Sequence, residues 1–65
     1  MKFIKLNKIE NKEWFVNVAH IASVEINDED STWVSLDDGT KYLVTEFVSD
    51  IFESLGAEIV IPKGE

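Results

Sequence analysis

The stretch that decides the fold spans residues 32–44 and reads TWVSLDDGTKYLV. Apolar and polar residues alternate through TWVSL, and Asp38-Gly39 separates this run from a second strand-like run, KYLV. An Asp-Gly dipeptide between two such runs is a strong hairpin signal, because both residues tolerate the positive φ angles of tight turns. The pattern predicts two antiparallel strands, with Val34 and Leu36 facing a core and Trp33 on the opposite face.

The residues before this hairpin predict three more strands. Residues 3–9 mix lysine with isoleucine and leucine, a composition typical of an edge strand, and Glu10-Asn11 is suited to a short turn. Residues 13–18 and 21–26 are rich in aromatic and β-branched residues. Ala19-His20 interrupts this pattern briefly, as a helical turn or a bulge would.

The residues after the hairpin change to a helical period. Apolar residues recur at helical spacing from Phe47 to Leu55, Thr45 is a suitable N-cap, and Gly56 is a suitable left-handed C-cap. The tail, Glu58–Ile61, is again strand-like and could pair with a sheet edge in its own chain or in a neighbour. The predicted fold class is mainly β (α+β): about five antiparallel strands in a meander or a small barrel-like sheet, then one short C-terminal helix and, optionally, a final short strand.

The length of the chain bounds its core. The 65 residues suffice for one small domain, residues 1–65, and such a domain has a marginal core. Domains of this size usually gain stability from disulfides, a metal or self-association. The sequence has no cysteine and one histidine, His20, which excludes disulfides and thiolate or multi-histidine metal sites. A homo-oligomer is therefore predicted.

The charge of the chain is negative and unevenly distributed. Six lysines and no arginine stand against thirteen acidic residues, for a net charge of −7. Residues 1–12 carry +3 and residues 13–65 carry −10. Direct nucleic-acid binding is not expected, because it needs clustered positive charge. The alternating start does not resemble a signal peptide, and no stretch approaches the ~20 apolar residues of a membrane span, so a cytoplasmic protein is expected.

Five acidic residues lie in two predicted turns: Asp28, Glu29, Asp30, Asp37 and Asp38. Calcium and magnesium prefer oxygen ligands, but this spacing fits no metal-binding loop, and acidic residues are common in exposed turns. His20 has no nucleophile beside it in sequence, and the serines lie in no nucleophile motif. No catalytic residue, metal or cofactor is therefore predicted, and the chain is not expected to be an enzyme.

Aromatic residues provide the clearest indication of a binding surface. If the even-numbered residues of 14–18 and 32–36 face the core, Phe15 and Trp33 point away from it, together with Leu43 and Ile21. The single predicted helix can cover only one face of the sheet. These four residues therefore either form an interface with a second subunit or another protein, or close a small barrel. In the first case the acidic turns form a charged rim around the contact.

The stretch from residue 17 to residue 55 resembles the small flagellar proteins of the FlbD/SwrD type. The matching positions are Asn17, Ile21, Val24-Glu25, Thr32, Val34, Leu36, Gly39, Tyr42, Val44, Glu46 and Val48. The chain departs from the pattern in the acidic insert at residues 28–30 and in the tail from Ala57 to Glu65. The resemblance implies a cytoplasmic accessory protein that acts through protein contacts, and it implies no catalytic residue.

Three functions are compatible with these observations. The preferred one is a non-enzymatic, self-associating bacterial or phage accessory protein that binds another protein. The second is an acidic inhibitor that occupies the basic groove of a host nucleic-acid-binding protein. The third is a small-ligand binder whose pocket lies between subunits and is lined by Trp14 or Trp33 with lysines.

Overall fold

A computed structural model of the chain describes residues 1–63 and contains five strands and one α-helix within them. The strands are β1 (Phe3–Lys8), β2 (Lys12–Asn17), β3 (Ile21–Asp28), β4 (Ser31–Leu36) and β5 (Lys41–Val44). A short 3₁₀ helix (Val18–His20) connects β2 to β3, and helix α1 (Val48–Leu55) follows β5. The prediction of a mainly β fold with one C-terminal helix is confirmed.

All five strands form one antiparallel sheet in the order β2-β1-β5-β4-β3. The strands β3, β4 and β5 form a meander, but the assignment of residues 3–9 to an edge is wrong, because β1 lies between β2 and β5. Within residues 1–63, β2 and β3 are the edges of the sheet. The sheet is therefore open, which excludes the closed barrel considered above.

Two tight turns were readable from the sequence, and both are present. Gly39 has a φ of 94°, and the Leu36 amide donates to the Thr40 carbonyl at 2.8 Å to close the β4–β5 hairpin. Between β1 and β2, Glu10 and Asn11 have φ values of 82° and 62°. Asparagine tolerates this left-handed region well, whereas glutamate is strained there.

The core lies between one face of the sheet and helix α1. Its buried apolar residues are Ile4, Leu6, Val16, Val34, Val44 and Ile51. Partly buried side chains pack around them, including Leu36, Trp14 and Leu55. The predicted inward orientation of Val34 and Leu36 is confirmed. A core this small gives the fold a modest apolar contribution to stability.

Helix α1 begins later than the sequence pattern predicts. Phe47 occupies the N-cap position without a side-chain hydrogen bond, so the prediction of Thr45 as N-cap is wrong. The Glu46 carboxylate instead accepts hydrogen bonds from the Asn7 amide at 2.9 Å and from Asn7 Nδ2 at 2.7 Å. The Thr32 hydroxyl donates to the Glu46 carbonyl at 2.8 Å. These contacts hold Glu46 against β1 and β4, and the helix starts only after it.

The chain beyond the helix does not return to the sheet. Gly56 ends α1 with a φ of 66°, which confirms the predicted left-handed cap. Residues 57–62 have no regular secondary structure, so the optional final strand is not formed within residues 1–63. Gly64 and Glu65, at the end of the tail noted above, lie outside the described residues.

Candidate functional site

Trp33 and Leu43 lie side by side on the face of the sheet opposite the core. They are direct partners across β4 and β5, and both are half-buried. The Trp33 indole Nε1 donates to Asn27 Oδ1 at 3.3 Å, and Lys41 Nζ lies 4.9 Å from the centre of the Trp33 ring. Asn27 and Lys41 therefore hold the indole in a defined orientation on the outer face.

A groove of about 340 Å³ lies beside this pair, where the β1–β2 turn approaches β5. The residues that line it, which we call the lysine groove, are Lys8, Ile9, Glu10, Lys12, Trp33, Lys41, Tyr42 and Leu43. Half of the six lysines of the chain are here, together with a single acidic residue. The groove is therefore positively charged on a protein whose net charge is −7.

The wall of the lysine groove is held by aromatic packing and backbone pairing. Trp14 and Tyr42 pack edge to face with their ring centroids 5.0 Å apart, and Lys8 Nζ lies 3.9 Å from the centre of the Tyr42 ring. The Ile9 amide donates to the Leu43 carbonyl at 3.1 Å and fixes the β1–β2 turn against β5. The shape of the groove is thus determined by the fold itself.

The structure brings together two of the four residues predicted for the interface. Phe15 is 64% exposed on β2 and lines a separate groove beside His20 and Asp37. Ile21 is the partner of Leu36, is half-buried and packs against the core. A register shift between Ile21 and Ser23 changes the alternation of β3, and Ile21 faces inward as a result. Any interface role for Phe15 and Ile21 stays a prediction.

The five acidic residues do not form one rim. Asp28, Glu29 and Asp30 precede β4, whereas Asp37 and Asp38 follow it. The six residues of β4, at about 3.3 Å each, separate the two groups by roughly 20 Å. None of the five lines the lysine groove. The groove that Trp33 and Leu43 line therefore carries mostly lysine rather than the expected carboxylates, and the carboxylate next to Trp33 is that of Glu25, its partner on β3.

Two of the acidic residues, Asp28 and Asp38, instead stabilise the turns in which they lie. Asp28 Oδ1 accepts hydrogen bonds from the Ser31 hydroxyl at 2.7 Å and the Asp30 amide at 2.9 Å, and these bonds lower the pKa of Asp28. Asp38 accepts from the Thr40 amide at 2.8 Å, which lowers the pKa of Asp38 in the same way. Both carboxyl groups therefore stabilise the folded chain more in the ionised form than in the protonated form.

His20 pairs with Asp37 at the surface. Its Nδ1 lies 3.1 Å from Asp37 Oδ2, and each side chain is 58% exposed. Among residues 1–63, no group of three or more histidine, aspartate or glutamate side chains is arranged to hold a metal ion. The pair therefore connects the 3₁₀ helix to the β4–β5 turn, and both of its side chains are accessible to solvent.

A second apolar groove was missed by sequence reasoning. It has a volume of about 300 Å³ and lies between the end of β3 and the start of α1. Ile26 and Phe47, which line it, are 65% and 56% exposed. The eight-residue helix is too short to cover this end of the sheet. We call it the Ile26–Phe47 groove; Asp28 and Glu29 border it.

The open five-stranded sheet with one helix and grooves on its surface defines a small, mainly β protein. The family model FlbD, described as flagellar and swarming motility proteins, matches residues 3–57. The chain therefore belongs to the FlbD family of flagellar and swarming motility proteins, as the resemblance indicated. No curated protein and no solved structure matches the chain. Within residues 1–63, no helix is long and apolar enough to cross a membrane.

Proposed function

We propose that this member of the FlbD family is a non-enzymatic, cytoplasmic accessory protein that associates with itself and acts by binding another protein. Membership of the family supports a role connected with flagellar or swarming motility. The observation that carries the proposal is the lysine groove, in which an oriented tryptophan on the outer face of the sheet lies beside Lys41 and shares the lining with Lys8 and Lys12.

Trp33 has the position of an interface anchor. It takes no part in the core, and its indole is held between Asn27 and Lys41. Tryptophan side chains contribute most to binding when they are already ordered and partly desolvated, because little conformational entropy is lost on association. Leu43 and Ile9 extend the apolar floor beside it.

The charge of the groove defines the partner. Lys8, Lys12 and Lys41 border the apolar floor, opposed by Glu10 alone. Positive charge around an apolar contact attracts acidic segments and disfavours basic ones. The partner is therefore a protein segment that presents an apolar side chain flanked by aspartate or glutamate.

Self-association is supported by the balance between core and surface. The buried apolar set is small, whereas Ile26 and Phe47, which line one groove, are both more than half exposed. Contiguous exposed apolar side chains on a small domain often mark contact surfaces. A second subunit would cover some of them and compensate for the limited core.

The titratable groups support a non-enzymatic function. An acid–base catalyst commonly needs a carboxyl group whose pKa is raised by an apolar site. The carboxyl groups with a clearly shifted pKa, Asp28 and Asp38, are shifted downward by turn hydrogen bonds. The His20–Asp37 pair is open to solvent on both sides.

Charge reversal in the groove tests the proposal. We expect Lys12→Glu to abolish or strongly reduce the ability of the chain to restore swarming in a host that lacks its gene, and Trp33→Ala to do the same. Lys2→Glu makes the same charge change on an exposed residue outside the groove and should restore swarming like wild type. Circular dichroism would establish that each variant is folded. If folded Lys12→Glu and Trp33→Ala variants both support normal swarming, the groove is not the functional surface.

The same groove favours a second candidate, a small anionic ligand. Its volume of about 340 Å³ falls within the ~300–1,000 Å³ of small-molecule sites, with Trp33 available for stacking and lysines for the anion. Titration of tryptophan fluorescence with nucleotides and other aromatic anions would test it, with Lys41→Glu as the variant that should lose the response. The acidic-inhibitor hypothesis is untested and stays a prediction. The two acidic turns lie at opposite ends of β4 and form no continuous surface, which favours it less than the groove favours the other two functions.

A further inference from the structure

Residues 58–61, Glu-Ile-Val-Ile, have a composition typical of a β-strand, but they are not paired in the sheet. Ile59, Val60 and Ile61 are 62%, 78% and 76% exposed, and the segment has no regular secondary structure. Consecutive β-branched residues strongly favour pairing in a sheet, and their exposure to water is unfavourable. The segment also follows residue 57, the last residue of the family match. It is therefore an addition to the fold that the family model covers.

The edge strand β3 offers a matching template. Its register with β4 shifts between Ile21 and Ser23 and again between Ile26 and Asp28. Between these shifts, residues 23–26 form a regular stretch that pairs with β4 on one side and, among residues 1–63, has no strand on the other. The unpaired N–H and C=O groups of such an edge can accept a further strand. The free stretch and the segment 58–61 are both four residues long.

The other edge, β2, is less accessible. Its end shares a groove with His20, Asp37 and Asp38, so the 3₁₀ helix and the β4–β5 turn lie beside it. Its start carries two charged residues, Lys12 and Glu13, whereas residues 23–26 of β3 carry one, Glu25, and charged side chains on an edge oppose the addition of strands. The two edges of the sheet therefore differ in how readily they accept a partner.

Side chains of the tail also have a place to bind beside β3. Ile59 and Ile61 lie on the same face of an extended segment. The Ile26–Phe47 groove lies at the end of β3 and exposes two large apolar side chains within a volume of about 300 Å³. A strand added to β3 can therefore bury isoleucine side chains against Ile26 and Phe47 while its backbone pairs with the edge.

We propose that residues 58–61 of one copy of this chain add as a strand to the β3 edge of a second copy. This inference rests on the self-association included in the proposed function and assigns it to a specific segment and a specific edge. Addition of an extended segment to a sheet edge obtains its affinity from backbone hydrogen bonds and its selectivity from alternate side chains.

Proline substitutions in the tail test the backbone pairing. Successive N–H groups of a strand point to opposite sides, so either Ile59→Pro or Val60→Pro must remove a donor from the added strand. We expect the concentration-dependent mass of the wild type, measured by light scattering, to fall to the monomer mass in at least one of these variants. Ile59→Thr and Val60→Thr keep the N–H group and the β-branched shape and should retain more association. Because the segment is mostly exposed and forms no regular secondary structure, the monomer should stay folded.

The outcomes separate this proposal from the self-association on which it rests. A wild type that is monomeric at all concentrations overturns both. An oligomeric wild type whose mass is unchanged in both proline variants overturns the tail mechanism and leaves self-association to another surface, such as Trp33 and Leu43.

A second pair of variants tests the acceptor edge. Ile26→Lys places a charge beside the β3 edge at a residue that is already 65% exposed, and it should weaken association. Phe15→Lys makes the same kind of change on β2, where the side chain is 64% exposed, and should leave association intact. If Phe15→Lys alone produces monomers, the tail does not bind at β3.

Discussion

The β4–β5 hairpin and the junction between β1 and β5 belong to one sheet but are held together by different means. Four residue pairs align β4 with β5, and their turn contains Asp38-Gly39. The register of β1 with β5 contains one pair, Lys8 with Val44, and the junction is completed by the hydrogen bonds between Asn7 and Glu46. The comparison shows that a four-pair backbone ladder holds the hairpin. The junction has a shorter ladder, with backbone bonds from the Ile9 amide to the Leu43 carbonyl and from the Thr45 amide to the Asn7 carbonyl, and it relies more on side chains.

The largest expected effect comes from the core beneath the junction. Leu6 on β1 is 2% exposed, and Leu6→Ala should lower the free energy of unfolding by about 2–5 kcal/mol, because it leaves a cavity that cannot fully collapse. Urea denaturation followed by circular dichroism would measure it. Phe3→Ala, at a 52% exposed position on the same strand, is the control and should cost clearly less. Equal losses for the two variants would mean that β1 does not pack as described.

The next effect concerns the side chains that complete the junction. Glu46→Ala removes the acceptor of two hydrogen bonds from Asn7 and should cost about 1–3 kcal/mol. Glu53→Ala removes an exposed carboxylate from α1 and should cost much less. A double-mutant cycle with Asn7→Ala should give losses smaller than the sum of the single variants. Additive losses would show that the two residues do not act together.

The turns at both ends of the hairpin strand β4 should make stability depend on acid. Hydrogen bonds hold the pKa values of Asp28 and Asp38 below their ordinary value of 3.8 in the folded chain. Their stabilising contribution is therefore complete above that value and is lost as the pH falls through the folded pKa. The urea concentration at the unfolding midpoint, measured at pH values from neutral to 2, should decrease across this acidic range. The double variant Asp28→Asn, Asp38→Asn should flatten the decline; an unchanged slope would contradict the assignment.

The smallest effect is expected at the β1–β2 turn, beside the junction. Glu10 has a φ of 82°, which costs a residue with a side chain about 1–2 kcal/mol, whereas glycine adopts it readily. Glu10→Gly should therefore raise the free energy of unfolding by up to about 1 kcal/mol. Glu13→Gly, within β2, should lower it by a similar amount. A destabilised Glu10→Gly variant would show that the turn is not strained.

The sequence was sufficient where the relevant contacts are local. The alternation of residues 32–44, the Asp-Gly turn and the glycine after the helix are each determined by neighbours within a few residues, and each was predicted correctly. The central position of β1 was not predictable, because it depends on the contact of Asn7 with Glu46 across the chain. The register shift that turns Ile21 inward has no signal in a simple alternation.

The candidate site was predicted only in part for the same reason. Trp33 and Leu43 are on adjacent strands of one hairpin, so their common outer face followed from parity. The lysines of the groove come from β1, the start of β2 and β5, and they meet only because β1 pairs with β5. For this reason, acidic residues rather than lysines were expected around Trp33 and Leu43.

The separation of Asn7 and Glu46 along the chain, 39 residues, also has a consequence for the order of folding. The β1–β2 and β4–β5 hairpins close short loops and can form early, whereas the β1–β5 junction requires a large loop to close. During synthesis, the β1–β2 hairpin leaves the ribosome before its partner strand β5 does. Until residues 44–46 emerge, one apolar face of this hairpin is uncovered. We expect a new chain to aggregate most readily during this interval.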